Sequence, residues 1–163
     1  MLDALSSPTD YTAFIHNLPN LYSSIKRSSL TYVLLGEKVG KVIGIIFFED
    51  NITLCVQEFL NFELNVIEGY GYEVSRSHGE ANVLPEVEAY CRASYPEKDK
   101  LYWYDSFPHP NDPSLAATHP HHKHIHPNIK RNRVPAPDLT FTAPNLPFLI
   151  EEVERVVLRN TVD

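Results

Sequence analysis

Seven of the chain's thirteen prolines fall between Pro108 and Pro137, and no other feature restricts the fold as strongly. Each proline holds φ near about −65° and removes a backbone donor, so a window this dense is expected to be extended and kinked rather than a helix or a central strand. Regular structure must come from the residues on either side. The window, extended to 108–144, is expected to be a His/Pro-rich, ordered but irregular excursion tied down by the sheet before it.

That sheet is legible ahead of the window. Leu30 to Leu35 and Lys41 to Phe48 carry β signals and are parted by Gly36-Glu37-Lys38-Val39-Gly40. Ile52 to Leu60, Glu63 to Ser75 and the aromatic run Lys100 to Phe107 follow, and consecutive strands with short links imply an antiparallel meander. At the N-terminus, Thr9 or Asp10 can cap a short helix with Tyr11, Phe14, Ile15 and Leu18 on its apolar face. Pro19 is expected to break it, with a second short turn through Leu21, Tyr22 and Ile25. Leu84 to Ala93 can hold one or two helical turns. Asn145 is expected to cap a final helix with Pro147 in its first turn and Leu149, Ile150, Val153, Val156 and Val157 as its stripe. The expected fold class is α+β. A single domain over residues 1–163 would hold an antiparallel sheet of about five to six strands, short N-terminal helices and one C-terminal helix.

The longest apolar stretch, Val42 to Phe48, is far too short to span a bilayer, and Met1 to Leu5 shows no secretory pattern. The chain therefore reads as cytoplasmic, with no membrane partner. Cys55 and Cys91 lack CxxC spacing, so neither a disulfide framework nor a cysteine zinc site is expected; Cys55 reads as a small buried hydrophobe. Net charge is −7, yet Lys123, Lys130, Arg131 and Arg133 give His119 to Arg133 a charge of +4, leaving −11 elsewhere. That local excess is the one feature that suits a nucleic acid.

The same segment carries the chemistry. In His119-Pro120-His121-His122-Lys123-His124-Ile125-His126, one imidazole can accept a proton while another donates one. Lys123 adds an ammonium suited to a phosphate. In an extended chain His122, His124 and His126 point one way, and His121, Lys123 and Ile125 the other. The first set could instead hold zinc or another divalent transition metal. A third reading is a solvated tract whose histidines bond backbone carbonyls. Asp105, at the end of the aromatic strand, could orient an imidazole, and His109 lies close behind it. Tyr70, Tyr72, Tyr102 and Tyr104 could stack on bases but more often pack across strands.

Gln57-Glu58-Phe59, Tyr70-Gly71-Tyr72, Tyr104-Asp105, Pro108-His109 and Pro120-His121-His122-Lys123-His124, closed by a C-terminal helix, together resemble the TumE-like proteins. These are toxin components of type II toxin–antitoxin pairs. The resemblance implies a small α+β protein and a cognate antitoxin partner, and makes endoribonuclease-type toxicity a reasonable expectation. Where the family strand reads Arg-Tyr-Asp-Asn, this chain has Trp103-Tyr104-Asp105-Ser106. The missing arginine is a phosphate clamp that Lys130, Arg131 and Arg133 are placed to replace. The leading expectation is RNA cleavage without a required cofactor. In it, His121 or His124 takes a proton from a 2′-hydroxyl, another histidine protonates the leaving oxygen, and Lys123 faces the phosphate. It leads because a lysine beside the histidines is better explained by an anion than by a cation. The alternatives are a non-catalytic protein-interaction module and a metal-dependent hydrolase built on His122, His124 and His126.

Overall fold

Ser7, rather than Thr9 or Asp10, starts the first helix. Its Oγ accepts a hydrogen bond from the Asp10 amide at 3.1 Å, and Pro8 takes the first helical position, where a missing N–H costs little. The computed structural model describes residues 3–79 and 86–159. Helix α1 (Pro8–Leu21) runs through Pro19 instead of stopping before it. The proline sits in the last turn, where it removes a single bond, and the Tyr22 amide still reaches the Leu18 carbonyl.

Eight strands form one antiparallel sheet: β1 (Arg27–Ser28), β2 (Thr31–Leu34), β3 (Val39–Phe47), β4 (Ile52–Asn61), β5 (Val66–Ser77), β6 (Lys98–Asp105), β7 (His122–His124) and β8 (Arg133–Pro135). The order is β1-β3-β4-β5-β6-β7-β8, with β2 also lying along β3. The meander expected from the sequence is present, with more strands than the five to six anticipated. β1, β7 and β8 are two or three residues long, too short to show an alternation. β7 pairs with both β6 and β8, which corrects the expectation that the proline-rich window holds no central strand; it lies in the proline-free run between Pro120 and Pro127. β1 and β2 form one interrupted edge along β3. At the interruption Gly44 has φ 150°, and a Cβ there would lie 2.6 Å from the Ser29 carbonyl oxygen, so the close approach needs glycine. Pro135 sits on β8, the sheet's other edge, where a missing donor is tolerated.

The two faces of the sheet are covered differently. On the first face, α1 and α3 (Leu146–Glu152) bury Tyr11, Ile15, Leu18, Leu149 and Ile150 against Val42, Leu54, Val56, Tyr72 and Tyr104. The chain continues from α3 as a π-helical turn over Val153–Leu158. Val156 is exposed and does not belong to the buried stripe. Asn145 does not cap α3 through its side chain. Its amide instead bonds the Thr140 backbone and donates to the Tyr72 hydroxyl. Glu58 is fully buried in this core, accepting from the hydroxyls of Tyr11 and Tyr72 at 2.6 Å each. Desolvation raises its pKa above the ordinary carboxyl value.

On the second face α2 (Val87–Arg92) packs Tyr90 over Ile45 and Cys55; Leu84 and Pro85, the start of the expected turn, lie outside the described residues. The helix brings Cys91 to Cys55, and the two form a disulfide with Cα atoms 5.9 Å apart. This corrects the expectation that no disulfide forms. The cysteines are 36 residues apart, and only packing of α2 on β4 brings them together. No helix among the described residues is long and apolar enough to cross a membrane.

Candidate active site

β6 ends at Asp105 because Pro108 and Pro110 cannot extend a ladder, and the chain returns through the proline-rich excursion to lay β7 against it. The register pairs Trp103 with His124, Tyr104 with Lys123 and Asp105 with His122. Side-chain alternation then sends His122, His124, Trp103 and Asp105 to the second face, and Lys123 to the helix-covered face with Tyr102 and Tyr104.

Asp105 lies between the two histidines. Its Oδ1 is 2.5 Å from His122 Nε2, its Oδ2 is 3.1 Å from His124 Nε2, and Oδ1 also accepts from the Phe107 amide at 3.1 Å. Burial acts to raise this carboxyl's pKa, but the two imidazoles and the amide outweigh it and hold it well below the usual range. His122 is 2% exposed and His124 3% exposed. His122 Nε2 makes no hydrogen bond, and the Asp105 carboxylate is its close ionic neighbour. The His124 ring is held on both sides. It stacks on Trp103 with centroids 4.2 Å apart, and its Nδ1 lies 3.0 Å from the Ile129 carbonyl oxygen. Arg133 Nε stands 3.4 Å from His124 Nε2.

His122 also lines a cavity of about 330 Å³ under the 107–119 excursion, with His109, His119, Phe107, Pro113 and Leu115 in its wall. The His109 and His122 rings are 5.9 Å apart. A larger cavity of about 650 Å³, between the β3–β4 turn and α2, contains none of these groups.

The structure thus brings together Asp105, His109, His122, His124 and Arg133 from the expected set, and adds His119. The remainder lie elsewhere. His121 packs against Phe141 and Tyr70 on the other face, with ring centroids 4.5 and 5.8 Å away, and its Nδ1 is 2.6 Å from the Tyr70 hydroxyl. Desolvation first, then the neighbouring His119 and His122, lowers its pKa. Lys123 is ion-paired to Glu152, which also accepts from the Tyr104 hydroxyl at 2.7 Å. The anion that this lysine calls for is therefore supplied by α3. His126 turns away after β7 and bonds the Lys100 carbonyl oxygen at 2.7 Å, so it does not join His122 and His124. Lys130 and Arg131 are exposed on the β7–β8 turn. Tyr70, Tyr72, Tyr102 and Tyr104 are all buried and pack across the strands. The burial of Glu152 and of Glu58, the latter within the Gln57-Glu58-Phe59 motif, escaped the sequence reading. Nothing local marks a carboxylate as buried when its partners come from distant elements.

A family model described as Toxin TumE matches residues 14–157, most of the chain. The chain belongs to this toxin family. No curated protein and no solved structure matches it significantly. The matched TumE region contains β6, β7 and the whole Asp105–His122–His124 group, together with the excursion that roofs the cavity.

Proposed function

We propose that this TumE-family protein is the toxin of a toxin–antitoxin pair and acts by cleaving RNA at the Asp105–His122–His124 centre. The observation that carries the reading is the convergence of those three side chains, one of which lines a histidine-walled cavity, with Arg133 Nε 3.4 Å from His124 Nε2. Two of the three residues lie in the chain's basic segment, whose Lys130, Arg131 and Arg133 are the cations left to meet an anionic ligand once Lys123 is paired with Glu152. Arg133 is placed to meet a phosphate, and Lys130 and Arg131 extend the positive surface along the β7–β8 turn. His109 and His119 flank the position a phosphodiester would enter, and imidazoles are the groups that exchange protons with attacking and leaving oxygens near neutral pH. A cognate antitoxin would protect the host by covering this face.

The reading differs from the leading expectation of the sequence in its residues rather than its chemistry. Lys123 is committed to Glu152 and His121 to Tyr70, so the working face is the one with Asp105. The test is cleavage of a single-stranded RNA by the purified full chain and by Asp105→Asn. The variant keeps its shape but loses its charge, and should cleave at least about 100-fold more slowly. Equal rates for the two proteins would remove Asp105 from the site.

A further inference from the structure

We propose that Asp105, His122 and His124 form a binding site for one divalent transition metal ion of the zinc class. This rests on the functional reading above only for its purpose; the site itself stands on geometry. Four observations carry it.

The first is a buried nitrogen that makes no hydrogen bond. His122 is 2% exposed, and its Nε2 has only the ionic approach of Asp105 Oδ1 at 2.5 Å. A buried polar atom left this way is destabilising unless something else satisfies it. The second is the orientation of His124. With Nδ1 held 3.0 Å from the Ile129 carbonyl oxygen, its Nε2 faces Asp105 Oδ2 at 3.1 Å, with Arg133 Nε at 3.4 Å.

The third is the donor set. Two imidazole nitrogens and one carboxylate oxygen all lie within 4.8 Å of one another, the number and type of protein ligands that catalytic zinc sites use. Zinc ligands stand about 2.0–2.2 Å from the ion, so its entry would widen the 2.5 Å gap between His122 Nε2 and Asp105 Oδ1 by under about 1 Å. Asp105 is the half-buried member and can make that adjustment. The fourth is the support around the ligands. The Ile129 carbonyl and the Trp103 ring fix the orientation and tautomer of His124, as partners of metal-bound histidines usually do. The cavity that His122 lines gives the ion an entry path and leaves room for a further ligand.

The ligand set differs from the one that spacing suggests. His126 is bonded to Lys100, and Asp105, 17 residues before His122 in the sequence, stands in its place.

The experiment is equilibrium dialysis of the purified full chain against zinc chloride, followed by elemental analysis. About one zinc per chain is expected for the unmodified protein and for His126→Ala and His119→Ala. Asp105→Asn and His124→Ala should bind at least about tenfold more weakly. His122→Gln, which preserves side-chain bulk, provides a second variant should His124→Ala fail to fold. Retention of zinc by all three ligand variants, or its loss only in His126→Ala, would overturn the site. So would an unmodified chain that takes up no zinc. The functional reading fails separately: a chain that binds zinc through these residues yet leaves RNA intact keeps the site and loses the nuclease.

Discussion

Replacing Lys123 with Met asks whether the lysine beside the histidines serves the fold or the substrate. Its ammonium is paired with Glu152, and the two side chains are 21% and 5% exposed. Removing the lysine leaves a buried carboxylate with the Tyr104 hydroxyl as its remaining partner. Breaking a buried pair from one side costs about 3–5 kcal/mol. Because Lys123 keeps some exposure, the lower end applies, so about 3 kcal/mol is expected. For a domain of this size that is a drop in melting temperature of about 6–12 °C. Adding Glu152→Gln removes the stranded charge, and the double variant should return to within about 1 kcal/mol of the unmodified chain. Urea unfolding followed by Trp103 fluorescence measures both. RNA cleavage by Lys123→Met, assayed well below its melting temperature, should be unchanged per folded molecule. A variant of normal stability that no longer cleaves would refute this reasoning and return Lys123 to the substrate.

Other outcomes follow from the same structure. Glu58 has a raised pKa in the folded state, so the folded chain holds that proton to higher pH than the unfolded chain, whose value is near 4.5. Stability should therefore fall as pH rises through the folded value, and Glu58→Gln should flatten that decline in urea titrations between about pH 5 and 8. Cys91→Ser opens a loop of 36 residues and should cost about 3–4 kcal/mol, with the reduced unmodified chain unfolding at the same urea concentration as the variant. Identical curves with and without reductant would rule out a stabilising disulfide. Replacing Lys130 and Arg131 with Ala should weaken RNA binding and reduce the log–log salt slope by about 1.4. A slope unchanged by both substitutions would place the RNA elsewhere.

Strands β3 to β6 could be read from the sequence because each is long enough for its alternation to show, and the turns joining β3, β4 and β5 are short. The two faces of β7 were legible for the same reason: period-two geometry separates His122 and His124 from Lys123 wherever the strand is placed. What could not be read is what each face meets. The register that sets His122 opposite Asp105 depends on the path of the chain from Ser106 to His121, a proline-rich excursion with no periodic signal. Glu152 reaches Lys123 from the last helix, and Cys91 reaches Cys55 from α2; neither pairing has a local signature. The metal set inferred from His-x-His-x-His spacing fails at its third member because the chain turns at Pro127 and His126 leaves the strand.

The central claim is that the Asp105 face of β7, and not its helix-covered face, carries the toxicity. Growth of bacteria expressing His122→Gln or His121→Phe, at matched soluble protein levels, tests it most directly. The two substitutions alter adjacent residues whose side chains lie on opposite sides of the sheet. Cells carrying His122→Gln should grow normally, and cells carrying His121→Phe should arrest as they do with the unmodified toxin. Arrest by His122→Gln together with normal growth under His121→Phe would contradict the account.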